Sequence, residues 1–202
     1  MNTYASLPLA AALRAATPCS TELCAQQSSR TSKQAPVHSR IEATEHGYTL
    51  AQEVWVQAPI QKVWDAFVTA EGYTAWAVPV AKIELKPGGT IASHYDPNAK
   101  PSDPDANIVK ILNFVPLRVL TLQARASKQW PEVMRKDAAN LMNVILFEDL
   151  GDEGTRIYSY GLGYSKSPKY ERMLKFFNAA NQALYKNLIA YLEKGKRARF
   201  EK

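Results

Sequence analysis

One apolar stripe near the C-terminus limits the folds open to this chain. Met173, Phe177, Ala180, Leu184, Leu188 and Tyr191 recur at three- and four-residue spacing, which predicts an amphipathic helix over about 169–192. Lysines fall in its last turns and Gly195 follows, as the helix dipole and a left-handed terminus favour. A face that long must be covered. The eighty residues or so upstream of it offer strands: Val80–Lys86, Thr90–Asp96, Asn107–Phe114, Val119–Ala126, Leu141–Leu150 and Thr155–Leu162 alternate or run apolar between turn signals. Pro87-Gly88-Gly89, Pro116, Trp130-Pro131 and the run Gly151 to Gly154 supply turns, and 97–105 is a loop of three prolines and two aspartates. Consecutive strands joined by short turns make an antiparallel meander.

An earlier strand at Thr49–Val56 is followed by Ala58-Pro59 and a short apolar face at Ile60, Val63, Trp64 and Phe67. Proline suits the first turn of a helix because its missing N–H has no partner there. Tyr73 and Trp76, after Gly72, mark a second short helix. The expected fold class is therefore α+β, a curved antiparallel sheet of six or seven strands on a long C-terminal helix, with two short helices after the first strand.

Residues 1–46 read as a lead-in segment, polar from Ser20 to Gln34, with 47–193 the folded domain and 194–202 a basic tail. The short apolar run Leu7–Leu13 offers an alternative, a degenerate export signal. No Lys or Arg precedes that run and Arg14 interrupts it, which favours a cytoplasmic location. Both cysteines, Cys19 and Cys24, lie in this lead-in, so 47–193 holds no thiol nucleophile, Cys-ligated metal or disulfide. The net charge of +6 resembles a nucleic-acid signal until it is located. Residues 1–40 carry +3 and 194–202 carry +4, which leaves −1 for the rest. With no finger, helix-turn-helix or RNP-like motif, nucleic acid is not an expected partner. No apolar run reaches the length of a membrane span.

The element order and several local motifs resemble the START-like, or SRPBCC, superfamily of helix-grip proteins, and within it the activator of heat-shock-protein ATPase (AHSA-type) branch. The matching residues are Ala58-Pro59-Ile60 with Val63-Trp64 and Phe67, Glu71-Gly72 with Trp76, and Pro87-Gly88-Gly89. Phe114 with Pro116 and Leu120, Phe147-Glu148, Gly154-Thr155-Arg156, and Phe176, Phe177 and Asn181 complete the pattern. The resemblance implies a cavity between sheet and helix that takes a small apolar or amphipathic molecule, lipid-like or polyketide-like. Members include lipid carriers, hormone receptors, polyketide cyclases and chaperone partners, so fold leaves function open.

Residue chemistry adds little toward catalysis. His94 is the one histidine on a predicted strand, and Glu148 and Asp149 are adjacent strand residues that point to opposite faces. No catalytic residue, metal site or cofactor is expected. The candidate ligand-binding residues are Trp76, His94, Tyr95, Phe177 and Asn181, for a ligand of about 20 heavy atoms, a size at which binding reaches tens of micromolar. Tyr158 and Tyr160 share one sheet face, with Ile157 and Ser159 on the other, and the pattern does not say which face is inward. A cyclase- or dehydratase-type enzyme built on His94 and a tyrosine, and a chaperone-ATPase-interacting protein module, are the alternatives. Oligomeric state is not legible.

Overall fold

The computed structural model describes residues 36–125 and 132–200. The insertion around Trp130 and the features read in residues 1–35 fall outside them. Eight antiparallel strands form one sheet in the order β1-β2-β8-β7-β6-β5-β4-β3. They are β1 (Val37–Ala43), β2 (Tyr48–Val56), β3 (Val80–Ile83), β4 (Thr90–His94), β5 (Asn107–Val115), β6 (Val119–Arg125), β7 (Met142–Asp149) and β8 (Thr155–Tyr164). Helices α1 (Ile60–Val68) and α2 (Ala70–Trp76) follow β2, α3 (Glu132–Asp137) precedes β7, and α4 (Pro168–Lys194) closes the fold. The α+β helix-grip expectation holds, with one strand more than the upper count.

That strand is β1, which lies upstream of residue 47, where the sequence reading begins the domain. It pairs along its full length with β2, from Val37 opposite Val54 to Ala43 opposite Tyr48. Of the residues on the face of Ser39, only Val37 and Ile41 are large and apolar, and Ile41 is 37% exposed, so its alternation is faint. Helix α3 was likewise not expected. It is six residues long, with Glu132 in its first turn and Arg135 and Lys136 in its last, an arrangement the helix dipole favours.

Helix α4 runs 168–194, within two residues of the expected ends at both termini. Ser167 caps it by accepting from the Tyr170 N–H, Pro168 occupies the first turn, and Gly195 ends it at φ 64°. Tyr170, Leu174, Tyr185 and Leu188 are its buried residues. Phe176, one of the residues that carry the resemblance, is 67% exposed. Its position is one step off the face that α4 lays on the sheet.

The main core collects Val54, Val56, Ile111, Leu120, Ile145 and Ile157 from the sheet and Leu188 from α4. Trp64 and Phe67 of α1 meet Phe147 edge-on, at centroid distances of 5.3 and 5.2 Å, a favoured aromatic geometry. The buried Thr155 hydroxyl donates to the Ala58 carbonyl at 2.8 Å, fixing the entry to α1 against the start of β8.

Helices α1 and α2 join almost without a loop. Thr69 caps α2 by accepting from the Gly72 N–H at 3.0 Å. A Cβ on Gly72 would stand 2.4 Å from the Asp65 carbonyl oxygen and 2.7 Å from the Ala66 Cα. Both obstacles are backbone, so α2 would have to move. Gly72→Ala is expected to cost about 3 kcal/mol, the upper range of overpacking, read as a drop in the urea midpoint at unchanged slope.

Candidate functional site: a cavity with one polar end

Sheet and helix do not close evenly. Helix α4 lies against β1, β2 and α2. Between α4, the helices α1 and α2, and strands β4, β6 and β7, a cavity of about 120 Å³ remains. Its apolar wall comes from Ile91, Leu120, Leu122 and Ile145 on the sheet and Phe67 and Leu184 on the helices. Trp76 and Tyr73 of α2 and Tyr185 of α4 supply rings. Trp76 is locked there: its indole N–H donates to the Ala66 carbonyl at 2.8 Å, and its ring stacks on Tyr185 at 6.2 Å.

The remaining lining residues are Asn143 and Asn181. They extend a polar row that crosses the inner face of the adjacent strands β1, β2 and β8. Ser39 stands opposite Gln52, and Gln52 opposite Ser159. Helix α4 meets this row with Asn178, Asn181 and Gln182. Ser39 donates to the Asn178 carbonyl oxygen, which also accepts from Gln182 at 3.1 Å. The Asn181 amide donates to the Gln52 carbonyl oxygen at 2.9 Å, and Ser159 donates to the Asn143 carbonyl oxygen at 3.1 Å.

Those bonds use one end of each lining amide. The Asn181 carbonyl oxygen and the Asn143 NH₂ group are left to the cavity, an acceptor and a donor on one polar wall. Gln52 is 3% exposed and its own NH₂ group has no partner. Such a group costs about 1–3 kcal/mol. The row is thus expensive for the fold, and pure packing would fill it with apolar side chains.

The titratable groups in the wall are both phenols. Burial pushes the Tyr185 hydroxyl up to about 12, with its hydrogen-bonding contact to Ser159 pulling the other way. Burial raises Tyr73 further. Both are neutral at physiological pH. Unfolded phenols ionise near 10, so above that pH the unfolded state loses its proton first and stability falls. The loss should reach about 1.4 kcal/mol per pH unit per phenol between about pH 10 and 12. Melting temperatures across that range, with absorbance at 295 nm following ionisation, check it. Tyr185→Phe should flatten part of the slope.

The structure brings two of the five candidate residues, Trp76 and Asn181, into this wall. His94 lies elsewhere, its Nδ1 accepting from the Asp96 N–H at 2.9 Å and its Nε2 3.4 Å from the Asp105 carboxylate. Both ring nitrogens are engaged in the loop that follows β4. Tyr95 is 61% exposed. Phe177 sits in a separate cluster with Leu141, Tyr164 and Tyr170, near the start of α4. Ile157 and Ser159 take the inner face of β8, and the Arg156 guanidinium covers the Tyr158 ring outside. Glu148 pairs with Arg156 at 2.7 Å, whereas Asp149 holds the Gly151 N–H. Asn143, Gln52 and Ser159 were missed, because one polar residue per strand looks like an ordinary break in alternation. A signal was present in the pairing of Gln52 and Ser159 across neighbouring strands, visible only once register is known.

Among the described residues, no helix is long and apolar enough to cross a membrane, and no group of three or more His, Cys, Asp or Glu could hold a metal ion.

An open antiparallel sheet gripping one long helix, with a cavity between them, defines a helix-grip protein. The chain belongs to the family described as activator of Hsp90 ATPase homolog 1-like protein, whose model matches residues 57–193. No curated protein matches it. Among solved structures it is similar to the protein SSP2350 from Staphylococcus saprophyticus, at 18% identity and a TM-score of 0.57, over 75% of this chain and 96% of that one. It is also similar to Aha1 from Colwellia psychrerythraea, solved as a dimer in solution, at 13% identity and a TM-score of 0.54, over 73% and 98%. CalU16 from Micromonospora echinospora gives 19% and 0.56, over 83% and 79%. At these identities the likeness is one of fold.

Proposed function

We propose that the chain binds a small uncharged molecule in this cavity, apolar over most of its surface and carrying a hydrogen-bonding group at one end. The carrying observation is the pair of lining amides, each with one end committed to the protein and the other turned to an otherwise apolar space. A full charge has no counter-charge in this wall and would be costly to bury there. Size is the second constraint. An apolar cavity of about 150 Å³ takes benzene, so 120 Å³ suits roughly one ring. The ligand of about 20 heavy atoms expected from the sequence does not fit unless α2 and α4 part.

Proton-transfer chemistry is the less favoured reading. It needs a group that changes protonation near neutral pH, and the wall offers two phenols held well above that range.

Phenol and benzene serve as paired probes, followed by chemical shifts of the methyls of Ile91, Leu120, Leu184 and Ile145. Both are expected to saturate, with phenol the tighter. Asn181→Leu should weaken phenol about tenfold, one hydrogen bond's worth, and leave benzene unchanged. Absence of saturable shifts with either probe would refute the proposal.

A further inference from the structure

The other face of the sheet carries a second concavity. Along β4, β5 and β6, Ile91, Ile111 and Leu122 point inward, so their neighbours Thr90, Lys110 and Gln123 point out. Register places these three in one row, Thr90 opposite Lys110 and Lys110 opposite Gln123. Arg125 follows two residues along β6 on the same side. Helix α3 and its exit turn overhang the row, and the resulting groove has a volume of about 520 Å³. That is within the usual range for a small-molecule site.

The groove's rim is fixed at two points. The Gln123 amide donates to the Ala139 carbonyl at 2.6 Å, and the Tyr170 hydroxyl donates to Asp137 at 2.8 Å, tying the end of α3 to α4. Its floor is neutral and small: Thr90, Gln123, and alanines 124, 138 and 139. Among the described lining residues the charged ones are Lys110, Arg125 and Arg135, and none is a carboxylate.

Several other basic residues of the described chain are paired with carboxylates. Lys86 pairs with Glu84, Arg40 with Glu42, and Arg156 with Glu148 and Glu53. In α3 itself Glu132 pairs with Lys136, one residue past Arg135 and on a different side of the helix. Three cations thus line one concavity in a stretch, 41–193, whose net charge is −1. Like charges held together repel, and a multiply charged anion relieves that repulsion. Guanidinium forks match the oxygens of a phosphoryl group two at a time, and an ammonium adds a point charge.

The geometry points to a second binding site on the outer face, where Lys110, Arg125 and Arg135 hold the di- or triphosphoryl group of a small molecule. A nucleic acid is a poorer fit, because the cations converge on one groove instead of tracking a backbone, and none of the described lining residues is aromatic.

Inorganic pyrophosphate is the probe, titrated into the full chain by calorimetry, with citrate and a glutamate-rich peptide in parallel. One saturable site for pyrophosphate is expected, weakening steeply as salt rises above about 100 mM. Arg135→Gln and Lys110→Gln should each weaken it about tenfold or more. Arg156→Gln, on the same face but away from the groove, should not. All three side chains of the groove are exposed, and an unchanged melting temperature verifies that each variant folds. Phenol binding to the inner cavity should be untouched throughout, so this proposal and the previous one fail separately. The assignment is overturned if pyrophosphate gives no saturable heat, or if the triple variant Lys110→Gln, Arg125→Gln, Arg135→Gln binds as tightly as the parent. Citrate binding as tightly as pyrophosphate would overturn the phosphoryl class. Tighter binding of the peptide would make the groove a protein-docking surface instead.

Discussion

Replacing Trp76 by alanine is expected to destabilise the protein by about 3–5 kcal/mol, the usual cost of removing a large buried aromatic side chain. The ring is 4% exposed. It touches Phe67 at 5.0 Å, Tyr73 at 5.6 Å and Tyr185 at 6.2 Å. Its indole N–H also holds the Ala66 carbonyl, which would lose that partner. The same change removes part of the cavity wall. If the fold survives, the space grows well beyond 120 Å³, and ligands of two fused rings, such as naphthalene or indole, should bind the variant and not the parent. Urea unfolding gives the first quantity and calorimetry the second. A loss below about 1 kcal/mol would mean that the wall collapses onto the vacated space, and two-ring binding would then fail as well. Trp76→Phe keeps most of the packing and serves as the milder variant should the alanine form not fold.

How legible this was from sequence depends on what kind of pattern carries each part. Helices α1, α2 and α4 announce themselves because each buries one face against a neighbour, and caps such as Ser167-Pro168 and Gly195 mark their limits. Strands β2 and β8 read clearly because both are paired on two sides. Strand β1 is an edge, covered on one side by β2 alone, so it carries fewer apolar residues, and its inner face is broken by the Ser39 that belongs to the polar row. The feature that hid β1 is thus part of the feature that defines the site.

The site itself was legible only in half. Trp76 and Asn181 lie on helices, where a three- or four-residue spacing tells which side chains share a face. Gln52 lies on a strand about a hundred residues from Ser159, and only register sets the two side by side, while Asn143 reaches Ser159 diagonally within the β7–β8 hairpin. His94, Tyr95 and Phe177 were attractive for their chemistry alone, and chemistry does not say where a strand ends. Tyr95 falls one residue past β4, in the loop, and Phe177 lies one turn before the cavity on α4.

The polar row yields the sharpest test of whether it serves the fold or a ligand. Asn181→Leu removes the one partner of the Gln52 carbonyl oxygen, and the Gln52 NH₂ group already has none. A fully unsatisfied buried carboxamide should cost about 1–3 kcal/mol, plus whatever misfit the leucine introduces. Adding Gln52→Leu takes away the stranded group itself and replaces both amides with apolar side chains of similar size. The double variant should therefore recover most of that loss and equal or exceed the parent in stability, since removing both partners of a buried pair is often neutral or better. The two positions are in contact, so the effects will not add, and the coupling free energy from the four urea curves measures the pair directly. A double variant less stable than Asn181→Leu alone would show that the amides hold the sheet to α4 and are structural. A double variant as stable as the parent that binds benzene but discriminates poorly for phenol would show the opposite. The polar row would then be a cost carried by the fold for recognition, and an apolar interior would be the better solution for stability alone.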